Sequence, residues 1–215
     1  QKFDSDGNFI LKWGEIGNNL GQFSSPKGIT VDSNGIVYVA DTKNHRIQQF
    51  TAVGEFISSF GKYGVTDGFL NTPVDIAINE NFIYVSDPAG QKIEKYTTDG
   101  ISLESFDYNL AGRAIMPGGL VVDPDGNIYL VDSGNHRIVK IDSEGKTLAV
   151  WGTVGTGKGQ FIQPNDLVLD NLGYVFVIDS AYNKIQKFQT PDVLKIQEAL
   201  AAEQAKKLEE LVYSE

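Results

Sequence analysis

The chain has 215 residues, 41% hydrophobic and 21% charged, which is enough to build a substantial folded core. Its formal net charge of -10 argues against a sequence-independent grip on nucleic acid or anionic lipid, because that binding runs on Lys and Arg displacing counterions. Zero cysteines exclude disulfides, thiolate metal sites and cysteine nucleophiles, and no apolar run is long enough to span a bilayer.

Taken from the N-terminus, Gln1 to Gly14 aligns without gaps on Gln48 to Gly61, so the chain is expected to begin inside the third strand of a repeat unit. The first full unit reads as four strands: Gly28 to Asp32, Ile36 to Ala40, Arg46 to Phe50 and Glu55 to Phe60. All four are rich in β-branched and aromatic residues and are separated by Asp-Ser-Asn-Gly or Ala-Val-Gly turns. The order then recurs. Tyr38-Val-Ala-Asp-Thr-Lys-Asn-His-Arg-Ile47 is followed by Tyr84-Val-Ser-Asp-Pro-Ala-Gly-Gln-Lys-Ile93, Tyr129-Leu-Val-Asp-Ser-Gly-Asn-His-Arg-Ile138 and Phe176-Val-Ile-Asp-Ser-Ala-Tyr-Asn-Lys-Ile185. The shared Asp41, Asp87, Asp132 and Asp179 are spaced by 46, 45 and 47 residues, and Pro26, Pro73, Pro117 and Pro164 precede them at nearly constant distance.

Four short strands per period predict an antiparallel blade, and blades packed radially around a channel predict an all-β propeller over residues 1–190, since the repeats contain none of the helices a solenoid of this period needs. The tail differs. Thr190-Pro191-Asp192 reads as an N-cap, and Val193, Ile196, Leu200, Leu208 and Leu211 recur at helical spacing, so residues 191–215 are expected to form an amphipathic α-helix whose apolar stripe packs on a neighbour.

The pattern Asp-x-x-Asn-His-Arg-Ile at Asp41 to Ile47 and Asp132 to Ile138 closely resembles the NHL repeat family, and the resemblance extends over residues 1 to about 190. It implies a ring of six blades, or about 24 strands. Seventeen are countable here, so the resemblance implies that seven strands, roughly 75 to 90 residues, belong to the ring outside this sequence. The alternative is a four-bladed ring in which Phe9 to Trp13 closes the last blade. Two repeats depart from the motif, with Gly90-Gln91-Lys92 and Tyr182-Asn183-Lys184 where the others have Asn-His-Arg.

Several residues invite a chemical reading. Asp41, Asp87, Asp132 and Asp179 are expected to accept backbone N–H bonds in the turn that follows each second strand, with Asn44, Asn135 or Asn183 supporting that turn, because blade symmetry spreads them too widely to share one ion. His45 and His136, beside Arg46 and Arg137, sit at equivalent positions and are expected to pack or bond strand edges rather than to catalyse. Gly152 to Lys158 approaches a phosphate-loop pattern, but Gly159 stands where Ser or Thr is needed, so it reads as an interblade connection. Asp4-Ser-Asp-Gly7 and Asp123-Pro-Asp-Gly126 read as hairpin turns.

The innermost strands are expected to line the channel with Lys27, Gly28, Val74, Asp75, Gly118, Gly119, Asn165 and Asp166. Asp75, Asn165 and Asp166 are the candidate ligands for an axial calcium, as in the lactonase-type propellers this architecture resembles. The leading expectation is nevertheless a non-enzymatic scaffold without cofactor, bound to a protein partner or to further copies through its loops and C-terminal helix. A calcium-dependent hydrolase comes second and an RNA-binding module third. Acidity and the absence of cysteine point to an extracellular or cell-surface location, with the cytoplasm as the alternative.

Overall fold

The computed structural model describes residues 1–107 and 115–190. The helix expected over residues 191–215, with Val193, Ile196, Leu200, Leu208 and Leu211, lies outside the described residues.

In chain order, β1 (Lys2–Phe3) and β2 (Phe9–Leu11) form an outer hairpin. Blade I follows as β3 (Pro26–Val31), β4 (Val37–Asp41), β5 (Arg46–Phe50) and β6 (Phe56–Phe60). Blade II is β7 (Asp75–Ile78), β8 (Phe82–Asp87), β9 (Lys92–Thr97) and β10 (Ser102–Asp107). Blade III is β11 (Pro117–Val122), β12 (Ile128–Asp132), β13 (Arg137–Ile141) and β14 (Thr147–Trp151). After a short parallel pair, β15 (Thr153–Val154) with β16 (Gln160–Phe161), three strands of blade IV close the described chain: β17 (Pro164–Leu169), β18 (Val175–Asp179) and β19 (Lys184–Phe188). Every blade is an antiparallel meander. Because β2 pairs with β1 and β19 with β18, the four-bladed closure through Phe9 to Trp13 is not the arrangement adopted.

Alternation along each strand explains how blades stack, since successive side chains point to opposite faces. Tyr38, Ala40 and Ile47 of blade I meet Ile76, Ile83 and Val85 of blade II in one buried cluster. Tyr84 and Ile93 of blade II meet Leu120, Ile128 and Leu130 of blade III, and Tyr129, Val131 and Ile138 of blade III meet Leu167, Val175 and Val177 of blade IV. The core therefore lies between blades, each aliphatic side chain there contributing about 1.5–3 kcal/mol through burial.

The inner strands β3, β7, β11 and β17 run side by side at the axis. Their approach is close enough to require glycine. A Cβ on Gly28 would lie 2.6 Å from the Asp75 Cα, and one on Gly119 would lie 2.8 Å from the Asp166 Cα.

Candidate functional site

The repeated aspartates are the natural starting point, and all four are fully buried. Asp41 Oδ1 accepts from the Ser24 N–H at 2.7 Å, and Asp132 Oδ1 accepts from the Met116 N–H at 3.1 Å. Asp87 accepts from the Asn71 and Thr72 N–H groups, and Asp179 accepts from those of Ile162 and Gln163. These bonds run backwards, to the segment that leads into the inner strand of the same blade. Asp87 also takes a backbone N–H from the following turn, that of Gly90 at 3.1 Å.

The Asn of the motif bonds the same carboxylate through its amide: Asn44 Nδ2 donates to Asp41 Oδ2 at 2.8 Å, and Asn135 Nδ2 donates to Asp132 Oδ2 at 2.9 Å. Asn183 does not belong to that set. It stands in register with His45, Gln91 and His136, and all four adopt left-handed backbone, with φ of 50°, 57°, 55° and 56° respectively. Asn tolerates that conformation better than most residues. Arg46 Nε and Arg137 Nε donate to Asp41 and Asp132 at 2.8 and 2.7 Å, which neutralises two of the buried carboxylates.

The two histidines complete a clamp between blades. His136 Nδ1 donates to the Ile162 carbonyl at 2.8 Å, while the Ile162 N–H donates to Asp179. His45 Nδ1 likewise donates to the Asn71 carbonyl, and the Asn71 N–H donates to Asp87. Since a carbonyl only accepts, Nδ1 must carry the proton in both rings. One residue of the connecting segment is thus held by the preceding blade through its C=O and by its own blade through its N–H. In blade IV, Lys184 takes the place of the motif Arg and donates to the carbonyls of Thr156, Gly157 and Gln160.

The axial candidates separate. Asp75 is partly buried, and desolvation pushes its carboxyl up to about 6 against the lowering effect of the Leu120 and Ile76 N–H bonds, with the nearby Asp166 charge adding to the rise. Asp166 is exposed, and its Oδ1 accepts from the Leu167 N–H. Asn165 does not join them: its Oδ1 accepts from the Ser180 hydroxyl at 2.7 Å, on the turn after β18. Among the described residues no group of three His, Asp or Glu side chains converges to hold a metal.

The near-match to a phosphate loop is a connection between blades III and IV, carrying the β15–β16 parallel pair, and the connections at Ile16↔Phe23 and Tyr63↔Leu70 carry the same parallel bridge. Asp4 Oδ1 accepts from the N–H groups of Asp6 and Asn8, and Asp123 Oδ1 from that of Asn127, which makes both acidic loops self-contained turns.

The family model described as NHL repeat matches residues 23–50 and 115–141. The chain is 32% identical over 147 residues to "Protein brain tumor" of Drosophila melanogaster, covering 67% of this chain and 14% of that protein. It is 30% identical over 143 residues to "B-box type zinc finger protein ncl-1" of Caenorhabditis elegans, covering 65% and 16%. It is also 30% identical over 136 residues to human "E3 ubiquitin-protein ligase TRIM32", covering 58% and 20%. The chain therefore spans less than a quarter of the curated relatives named here. Among solved structures it is similar to virginiamycin B lyase from Staphylococcus aureus, with a TM-score of 0.63 at 19% identity over 79% of this chain and 54% of that one. At that identity the likeness is one of fold.

Proposed function

The chain belongs to the NHL-repeat β-propeller family, and from that premise we propose that it is a non-enzymatic scaffold that binds another protein through its loop faces. The observation that carries this reading is the interblade clamp. His45 and His136, the two histidines of the chain, and the four motif aspartates are committed to holding backbone segments, so the polar groups best suited to chemistry instead make the frame rigid. Rigid frames that project loops are suited to recognition, because the loops lose little freedom on binding. The test is reconstitution. A partner identified by crosslinking in the native host is purified and titrated against the purified chain by calorimetry. A binary complex with a defined stoichiometry is expected, and failure of every crosslinked protein to form one would overturn the reading.

A second reading, a calcium-dependent hydrolase at the axis, is favoured by one observation: the half-buried Asp75 beside Asp166. Its test is a calcium titration followed by thermal melting. A calcium-dependent rise in melting temperature that Asp75→Asn and Asp166→Asn abolish, joined to ester or lactone hydrolysis, would put this reading first.

A further inference from the structure

The two faces of the disc are chemically different. In a four-stranded meander the first and third turns lie on one face, while the second turn and the connection to the next blade lie on the other. Among the described residues the first face carries exposed Asp6, Glu55, Glu80, Asp99, Asp125 and Glu144, offset by Lys146 in a turn and by Lys2 and Lys187, whose ammonium groups reach Ala52 and Asp170 there. The second carries exposed Lys27, Lys43, Lys62 and Lys158 against Glu15 and Asp67. Among the described residues, a chain of net charge -10 therefore keeps a face on which lysines outnumber the exposed acids.

That face also presents apolar side chains on fixed backbone. Ile16, Tyr63 and Val154 occupy one position in three interblade connections and are 92%, 68% and 62% exposed. Each of the three connections carries a parallel bridge at that position. The bridge partners Leu70 and Phe161 are fully buried, whereas Tyr63 and Val154 opposite them stay exposed. The backbone is pinned, with the Gly17, Gly64 and Gly155 N–H groups donating to the carbonyls of Phe23, Leu70 and Phe161.

We infer that this connection face is the docking face of the scaffold and that its occupant is an acidic protein segment carrying interspersed aliphatic residues, an inference that rests on the scaffold reading above. Lysines around pinned aliphatic side chains match such a segment in charge and in apolar surface. RNA fits less well. Arg46 and Arg137 of this face are engaged with Asp41 and Asp132, and its exposed aromatics among the described residues are Tyr63, whose ring lies 4.8 Å from that of His45, and Tyr182.

The experiment is selection of random phage-displayed peptides on the full chain, followed by fluorescence anisotropy of the selected peptides against three folded variants checked by circular dichroism. Peptides rich in Asp, Glu, Leu and Ile are expected. The triple variant Ile16→Ser, Tyr63→Ser, Val154→Ser and the quadruple variant Lys27→Glu, Lys43→Glu, Lys62→Glu, Lys158→Glu should each weaken them roughly tenfold or more. The opposite-face pair Glu80→Lys, Asp125→Lys should bind as the wild type does. Basic peptides lost in the Glu80→Lys, Asp125→Lys variant would overturn this face assignment and leave the scaffold reading standing, as would peptides indifferent to all three variants. No selected peptide, with salt-sensitive retention of an oligouridine RNA that the lysine variant abolishes, would overturn both.

Discussion

Ile138 of blade III and Ile185 of blade IV occupy the same position of the repeat, yet the first is fully buried and the second is 69% exposed. The equivalent Ile47 and Ile93 are also fully buried. Val131 and Ile178, one strand inward, repeat the contrast. The repeat position did not change; its neighbours did. Blade IV covers Ile138, and no described strand stacks on the far side of blade IV, where Val168, Phe176, Ile178 and Ile185 share an open face. A blade thus has no core of its own, and the stability of the array is a sum of neighbour terms.

The largest expected effect tests the clamp rather than the apolar face. Asp132→Ala removes a buried carboxylate bonded to the Met116 N–H, Asn135 and Arg137, and it leaves a nearly buried guanidinium without that counter-charge. A loss of about 3–5 kcal/mol is expected. Asp179→Ala, at the same position of blade IV, strands the Ile162 and Gln163 N–H groups but no motif arginine, so about 1–3 kcal/mol is expected. Urea midpoints of both variants check the order, and equal losses would mean that the arginine adds nothing.

The next effect bears directly on the two isoleucines. Ile138→Ala should cost about 2–5 kcal/mol, whereas Ile185→Ala should stay within about 0.5 kcal/mol of wild type. If Ile185→Ala proves as damaging as Ile138→Ala, something covers blade IV in solution, and the contrast drawn above belongs to the isolated chain alone.

The sequence made the period, the blade and most strand ends legible because alternation and turn chemistry are local. The predicted third and fourth strands, Arg46 to Phe50 and Glu55 to Phe60, differ from β5 and β6 by at most one residue at either end. What sequence could not place were contacts between segments distant in the chain. The Asp bonds run back 15 to 17 residues, to segments whose sequences share no obvious side-chain pattern because these segments donate only their backbone N–H groups to the carboxylates. Residue type alone suggests the Asn role for Asn183, whereas counting from Asp179 puts it at the left-handed position and Tyr182 at the Asn position. Asn165 resembled an axial ligand by its place after Pro164, but strand alternation sends it to Ser180 and leaves Asp166 near Asp75. The pinned exposure of Ile16, Tyr63 and Val154 had a sequence signal, an apolar residue two positions after Gly14, Gly61 and Gly152, that alignment of the connections would have revealed.

The smallest expected effect distinguishes the axis from the clamp, since both hold buried carboxylates and only the clamp supplies cations. Asp75 has backbone donors and the repulsion of Asp166, and burial raises its carboxyl to about 6. A carboxyl raised on folding favours the folded state fully below the unfolded value near 4, and that contribution is lost as pH rises through about 6. Asp75→Asn removes the charge while keeping an oxygen for the Leu120 N–H. After allowance for partial exposure, the variant should be about 1–2 kcal/mol more stable than wild type at pH 7 and no more stable at pH 4. Paired urea titrations at the two pH values read the difference. A variant that gains nothing at pH 7 would mean that the carboxylate is already compensated there; if calcium chelation then uncovers the gain, the compensating charge is a cation on the axis, and Asp75 belongs with Asp132 as a paired acid rather than against it.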